Sequence, residues 1–306
     1  MKHLICLSDW SGQEIQETLK LAEKLKYESK NGIRHNHLLK NKTLGLIFAK
    51  SSTRTRVSFE VGMYQLGGNS MFLSSGDIQL GRGETVSDTA KTLSRYIDGI
   101  MIRTYKHSDV VDFSQYGTIP VINGLTDSQH PCQILADLQT IKEYKGKLQG
   151  IKLAYVGDGN NVANSLLIGC AKVGMHISVA TPKNYECDEF SVRHAKEAAV
   201  QTNASVLITN DPYEAVKDAD VIYTDTWVSM GMEAEKEKRI ESFMPYQVND
   251  KLMKIAKSNA IFMHCLPAYR GFEVSAGVID GPQSAVFDEA ENRLHAQKAV
   301  LVKLLG

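Results

Sequence analysis

Short apolar, β-branched runs alternate with stretches of helical periodicity along nearly all of this 306-residue chain, and that alternation limits its fold more than any other feature. "TLGLIFA" (43–49), "SMFL" (70–73), "DGIMIR" (98–103) and "IPVIN" (119–123) read as strands. Helical patterns fit 56–66, 86–96 and 133–144. An earlier helix opens on a Ser11–Glu14 capping box, repeats Ile15, Leu19, Ala22 and Leu25 on one face, and ends at Asn31-Gly32. Strand and helix in alternation imply a parallel sheet with helices on its faces. The polar "YKGKLQG" (144–150), with its two glycines, interrupts the pattern. Beyond it come "KLAYVG" (152–157), "HISVA" (176–180), "SVLIT" (205–209), "DVIYT" (220–224) and "AIFMHC" (260–265). The expected class is α/β, with two domains that are each a mostly parallel sheet flanked by helices. Their expected bounds are 1–145 and 146–285, and a C-terminal helix over 286–306 should pack back toward the first domain. A chain of this length is long for one core.

Lys+Arg and Asp+Glu are both 35, so the net charge is zero, and bulk electrostatics favour neither a nucleic-acid nor an anionic-membrane partner. No run of about 18 apolar residues occurs, and Asp9 interrupts the N-terminal apolar stretch before it can resemble a signal segment. The five cysteines (Cys6, Cys132, Cys170, Cys187, Cys265) are scattered and never spaced C-x-x-C. That argues against a disulfide framework or a zinc site and fits a reducing cytoplasm. The charge run "EAEKEKR" (233–239) reads as a solvated face.

"SSTRTR" (51–56) stands where the first strand gives way to a helix. A helix N-terminus has unpaired N–H groups and a partial positive charge, so it favours anions. Ser52, Thr53 and Thr55 add hydroxyls, and Arg54 adds a planar fork suited to phosphate oxygens. The plainer alternative is a capped helix with exposed arginines. G-x-x-x-x-G-K-[ST] is absent, which points to a small phosphorylated metabolite rather than a nucleoside triphosphate. Arg103 closes its strand, and "HPCQ" (130–133) opens a helix with Pro131 suited to the first position. "VGDGNNVANS" invites a dinucleotide reading, but Val162 stands where the third glycine belongs, and the next strand ends without an acid. Asn161 there suits a polar small molecule. In "DTWVSMG" (225–231) Asp225 could cap a helix or receive a substrate ammonium. In "HCLP" (264–267) Cys265 is either a buried inert thiol or faces the crevice at a strand end.

"STRTR", "HPCQ", "DTWVSMG" and "HCLP" occur in the order and approximate spacing of the aspartate/ornithine carbamoyltransferase family, which the chain resembles over nearly its whole length, its ornithine branch most closely. The resemblance implies a carbamoyl phosphate domain followed by an amino-acid domain, assembled as homotrimers or multiples of trimers, with no cofactor and no metal. By position it implies Ser52, Thr53, Arg54, Thr55 and Arg103 on the phosphate. It places His130, Gln133 and the backbone of Cys265 and Leu266 on the carbamoyl group, with Arg293 as a further ligand. Gln79 would reach a neighbouring subunit's site, and ornithine would meet Asn161, Asp225, Ser229 and Met230. Arg54, Arg103, His130, Asp225 and Cys265 are the implied catalytic set, Asp225 or Cys265 serving to position or deprotonate the amine. Aspartate relatives have Pro-Leu-Pro in place of Cys265-Leu266-Pro267 and lack the tryptophan-containing segment. The implied activity gives citrulline and phosphate, in the direction of arginine synthesis. A different amine such as putrescine, the catabolic reaction, and a binding protein without turnover are the alternatives. Ala49 and Tyr269 depart from the family pattern, where an acid and a histidine or basic residue are usual.

Overall fold

The structure, a computed structural model, describes residues 2–74, 76, 83–228, 231 and 233–306. The chain forms two compact units, Met1–Gln139 with Glu291–Gly306, and Thr140–Ala290.

The first unit holds helix α1 (Gly12–Lys30), strand β1 (Thr43–Phe48), α2 (Thr53–Leu66), β2 (Asn69–Ser74), α3 (Val86–Leu93), β3 (Gly99–Arg103), α4 (His107–Tyr116), β4 (Val121–Leu125) and the start of α5 (Pro131–Lys145). Its parallel sheet has the order β2-β1-β3-β4. β1 and β3 are continuous apolar runs because helices cover both faces: Leu44, Leu46, Ile47, Ile100, Met101 and Ile102 are all buried. The Ser11–Glu14 capping box forms as expected. α2 starts at Thr53 rather than 56, because the Ser52 hydroxyl accepts the Thr55 N–H at 3.2 Å and caps the helix earlier than its apolar periodicity shows. α4 was not expected; of its ten residues only Val110 and Phe113 are buried, too few to mark a period.

The second unit begins within α5 and continues through β5 (Lys152–Val156), α6 (Asn161–Lys172), β6 (His176–Ala180), α7 (Glu189–Thr202), β7 (Val206–Thr209), α8 (Pro212–Val216), β8 (Val221–Tyr223), α9 (Lys236–Phe243), α10 (Asp250–Met253), β9 (Ile261–Met263), α11 (Ala276–Ile279) and the start of α12 (Val286–Leu305). Its sheet is also parallel, in the order β7-β6-β5-β8-β9. The remainder of α12 belongs to the first unit. There Ala299 packs with Ala22 and Leu25 of α1, Lys26 donates to Asn292 at 2.7 Å, and Lys30 pairs with Glu291 at 2.9 Å. The expected return of the last helix is therefore found. Among the described residues no helix is long and apolar enough to cross a membrane.

Each sheet reverses its direction of winding once. In the first, β2 lies on one side of β1 and β3 on the other; in the second, β6 and β8 flank β5. The connections leaving the carboxyl ends of β1 and β3, and of β5 and β8, therefore diverge to opposite faces. Open α/β sheets form their ligand crevices at such points.

Candidate active site

In the first unit the connection after β1 enters α2 and delivers Thr53, Arg54 and Thr55 in its first turn. Arg103 ends β3 beside it and is buried. A register shift aids its placement: Ile102 pairs with Asn123, but Arg103 pairs with Leu125. Gly124 fills the bulge, where a Cβ would lie 2.3 Å from Met101 Sδ. From β4 the chain reaches His130 and then Pro131, the first residue of α5. α12 supplies Arg293, whose Nη1 donates to Gln133 Oε1 at 2.7 Å and whose Nη2 donates to Thr55 Oγ1 at 3.3 Å. Gln133 in turn donates to Asp137 Oδ1 at 2.8 Å, which fixes its amide orientation.

His130 is held neutral. Burial pushes its imidazole well below the ordinary 6.5, and the positive charges of Arg293, Arg103 and Arg54 press the same way. In the unfolded chain this histidine takes up a proton near pH 6.5; the folded protein resists that proton until a lower pH. The unfolded state therefore binds more protons as the pH falls below about 6.5, so this contribution to stability is present above that pH and lost on acidification. Denaturation midpoints should fall between pH 7.5 and 5, and His130→Gln should make that acid slope shallower. An unchanged slope would show that His130 is not held neutral.

In the second unit Asp225 follows β8 and caps none of the helices among the described residues. Its carboxylate accepts three hydrogen bonds: from Asn160 Nδ2 at 2.8 Å, Thr226 N–H at 2.8 Å and Cys265 Sγ at 3.1 Å. Asn160 comes from the β5 connection and caps α6, its Oδ1 accepting Val162 and Ala163 N–H at 3.0 and 3.2 Å. Asn161, the expected contact, is the first residue of α6, whereas its neighbour Asn160 makes the bond to Asp225. Cys265 is not fully buried, as the plainer reading had it; it is partly exposed and its Sγ donates to Asp225. Asp225, His264 and Cys265 each bring one ligand-capable atom within 4.8 Å of the others. A cation there would have to compete with Leu266 N–H and Glu273 for the two ring nitrogens of His264.

The charge run 233–239 corrects one expectation. Arg239 is buried, pairs with Asp158, donates from Nε to Trp227 O at 2.5 Å, and lies 4.9 and 5.1 Å from the ring centroids of Tyr185 and Phe243. Burial raises the Asp158 carboxyl to about 6 despite the arginine, with Asp225 adding to the rise. This pair anchors the backbone two residues after Asp225. The sequence signal for it was weak: an arginine among exposed acids and lysines looks solvated, and only Phe243 four positions on marks a buried face. Glu273 and Glu289, which hold the turn after β9, were also missed. Gln79, Ser229 and Met230 lie outside the described residues.

The family described as aspartate/ornithine carbamoyltransferase, carbamoyl-P binding domain, matches residues 2–143, and the Asp/Orn binding domain of the same family matches 149–304. The chain is 61% identical over 302 residues to an ornithine carbamoyltransferase of Caldicellulosiruptor saccharolyticus, covering 99% of this chain and 98% of the relative. It is 58% identical to the enzyme of that name from Bacillus subtilis, covering 99% and 94%. Among solved structures, ornithine carbamoyltransferase from Pyrococcus furiosus superposes with a TM-score of 0.97 at 55% identity, covering 100% of this chain and 97% of that one. The anabolic ornithine carbamoyltransferase of Campylobacter jejuni gives 0.93 at 44% identity, covering 99% of each.

Proposed function

The chain belongs to the aspartate/ornithine carbamoyltransferase family, and we propose that it moves the carbamoyl group of carbamoyl phosphate to the δ-amine of L-ornithine, giving citrulline and phosphate. The observation that carries the choice of amino acid is Asp225. A carboxylate stands at the point where the second sheet reverses, between the β5 and β8 connections, and is fixed there by Asn160, Thr226 and Cys265. It would attract an amino group and repel the side chain of aspartate.

In this reading Ser52, Thr53, Arg54, Thr55 and Arg103 hold the phosphate, and His130, Gln133 and Arg293 hold the carbamoyl end with the Cys265–Leu266 backbone. The Ser52 hydroxyl serves a second duty as the α2 cap. The δ-amine, with a lysine-like pKa of about 10.4, loses its proton before attacking the carbamoyl carbon. A C–N bond forms, an oxyanion develops on the carbamoyl oxygen, and the C–O bond to phosphate breaks. A neutral His130 can donate a hydrogen bond to that oxygen, while Arg54 and Arg103 meet the charge that grows on the departing phosphate. Each well-placed donor contributes about 3 kcal/mol. On this reading Asp225 or Cys265 orients the amine or takes its proton, and Asn161, Ser229 and Met230 are the further amino-acid contacts that the resemblance implies.

Synthesis rather than breakdown of citrulline is the direction we favour, in line with the likeness to the anabolic Campylobacter jejuni enzyme. We also place the protein in the cytoplasm as a homotrimer or multiple of trimers, Gln79 reaching a neighbour's site. The deciding assay supplies purified protein with carbamoyl phosphate and ornithine, putrescine or aspartate and measures the carbamoylated product. Turnover with ornithine is expected to exceed both others by at least about 10²-fold, as loss of a paired charged contact predicts. No turnover with ornithine would overturn the reading.

A further inference from the structure

His264 opens the "HCLP" segment just after β9, and its side chain is fully buried, so it acts only through its neighbours. Its backbone N–H donates to Glu289 Oε2 at 2.9 Å, and the other oxygen of Glu289 accepts the Tyr223 hydroxyl at 3.1 Å. On the ring, Nδ1 lies 2.9 Å from Leu266 N, and Nε2 lies 3.3 Å from Glu273 Oε1. That same Glu273 oxygen accepts Tyr269 N–H at 2.5 Å.

A backbone N–H can only donate. Nδ1 must therefore offer its lone pair to Leu266, which leaves the ring proton on Nε2, aimed at Glu273. A doubly protonated ring would lose the Leu266 bond, so the contact with Glu273 is a hydrogen bond from a neutral imidazole rather than an ion pair. Leu266 itself has φ of 57°, in the left-handed region that a branched residue enters only under constraint. The bond from its N–H to the ring two residues back is a constraint of that kind. Glu289 and Glu273 hold the two flanks of the same turn.

We propose that His264 is a positioning residue: its Nε2–H tautomer fixes the backbone of Cys265 and Leu266 in the conformation that meets the carbamoyl group. This rests on the reading above that those two residues contact that group.

The side chains of asparagine and glutamine separate the two ring positions. Asparagine can place an acceptor oxygen where Nδ1 stands, whereas glutamine reaches toward Nε2 and leaves Leu266 N–H unserved. His264→Asn is therefore expected to keep citrulline-forming kcat within about tenfold of the parent, and His264→Gln to lose on the order of 10²-fold, as removal of a site-organising hydrogen bond does. The KM for ornithine should change little in either. Equal losses in two variants of equal thermal stability would overturn the proposal. A second measurement needs no variant. The His-Cys pair occurs once in the chain, so selective labelling assigns His264. Long-range ¹H–¹⁵N correlation should then show an unprotonated Nδ1 and a protonated Nε2. The opposite tautomer, or a doubly protonated ring, would overturn the proposal even in an active enzyme. Absence of citrulline formation by the parent protein would instead strike the functional reading and leave the tautomer to be judged separately.

Discussion

Arg54→Ala is expected to lower kcat/KM for carbamoyl transfer by on the order of 10³-fold while the protein stays folded. Arg54 sits in the first turn of α2, only partly buried, where the helix N–H groups already favour an anion. The substitution leaves the Ser52–Thr55 cap and the buried face of α2 (Phe59, Met63, Leu66) untouched, so the helix has no reason to melt. What disappears is a fork that can bond two phosphate oxygens at once and a charge that helps keep His130 neutral. Both losses act on the reacting groups. Arg54→Lys should recover part of the rate, since it restores the charge and not the planar geometry. Inhibition by inorganic phosphate should weaken in parallel. If Arg54→Ala retained near-normal kcat/KM with intact phosphate inhibition, the phosphate site would have to be placed elsewhere.

Asp225→Asn should reduce kcat/KM for ornithine by about 10²–10³-fold, the range expected when one member of a buried charge pair is removed, with carbamoyl phosphate affinity little changed. The hydrogen bonds explain why so small a change is not tolerated. Asn160 cannot turn its amide around, because its oxygen is committed to Val162 and Ala163 N–H at the head of α6. Its NH₂ group therefore always faces residue 225. An asparagine there could satisfy Asn160 with its oxygen only by turning its own NH₂ toward Thr226 N–H and Cys265 Sγ, both of which donate to Asp225 now. The reverse orientation sets two NH₂ groups against each other. Either way a donor loses its partner, and the negative charge offered to the substrate is gone. Titration calorimetry with carbamoyl phosphate, beside ornithine kinetics, checks the separation of the two effects. A matching loss of carbamoyl phosphate affinity would show that Asp225 does not serve the amino acid alone.

Most of the sheet was readable because its strands are apolar on both faces, and runs such as 43–49 and 152–157 announce themselves without help from distant residues. Pro131 likewise marked the start of α5 by its fixed φ and missing N–H. The positions of the candidate residues were legible for the same reason: Arg54, Arg103, His130 and Asp225 each stand at or beside a strand end or helix start. What escaped depends on partners far along the chain. Asn160 and Asn161 are alike as neighbours in sequence, and only the position of Asp225, 65 residues on, picks out the first. Arg239 is hidden in a charged run until Asp158, 81 residues earlier, is seen to meet it. α4 escaped for the opposite reason, since ten residues with two buried side chains carry almost no period.

The interrupted sequence of the first unit also sets an order of events during synthesis. Residues 140–290 leave the ribosome as one uninterrupted stretch, whereas the first unit lacks part of itself until 291–306 have followed. The nascent protein thus reaches a stage at which Thr55 and Gln133 are made but Arg293, which bonds both, is not. Ala299, which packs against α1, arrives later still. Arg293 is thereby made only after all of the second unit, and a chain stalled before that point would carry Asp225 and its three donors without the arginine that bonds Thr55 and Gln133.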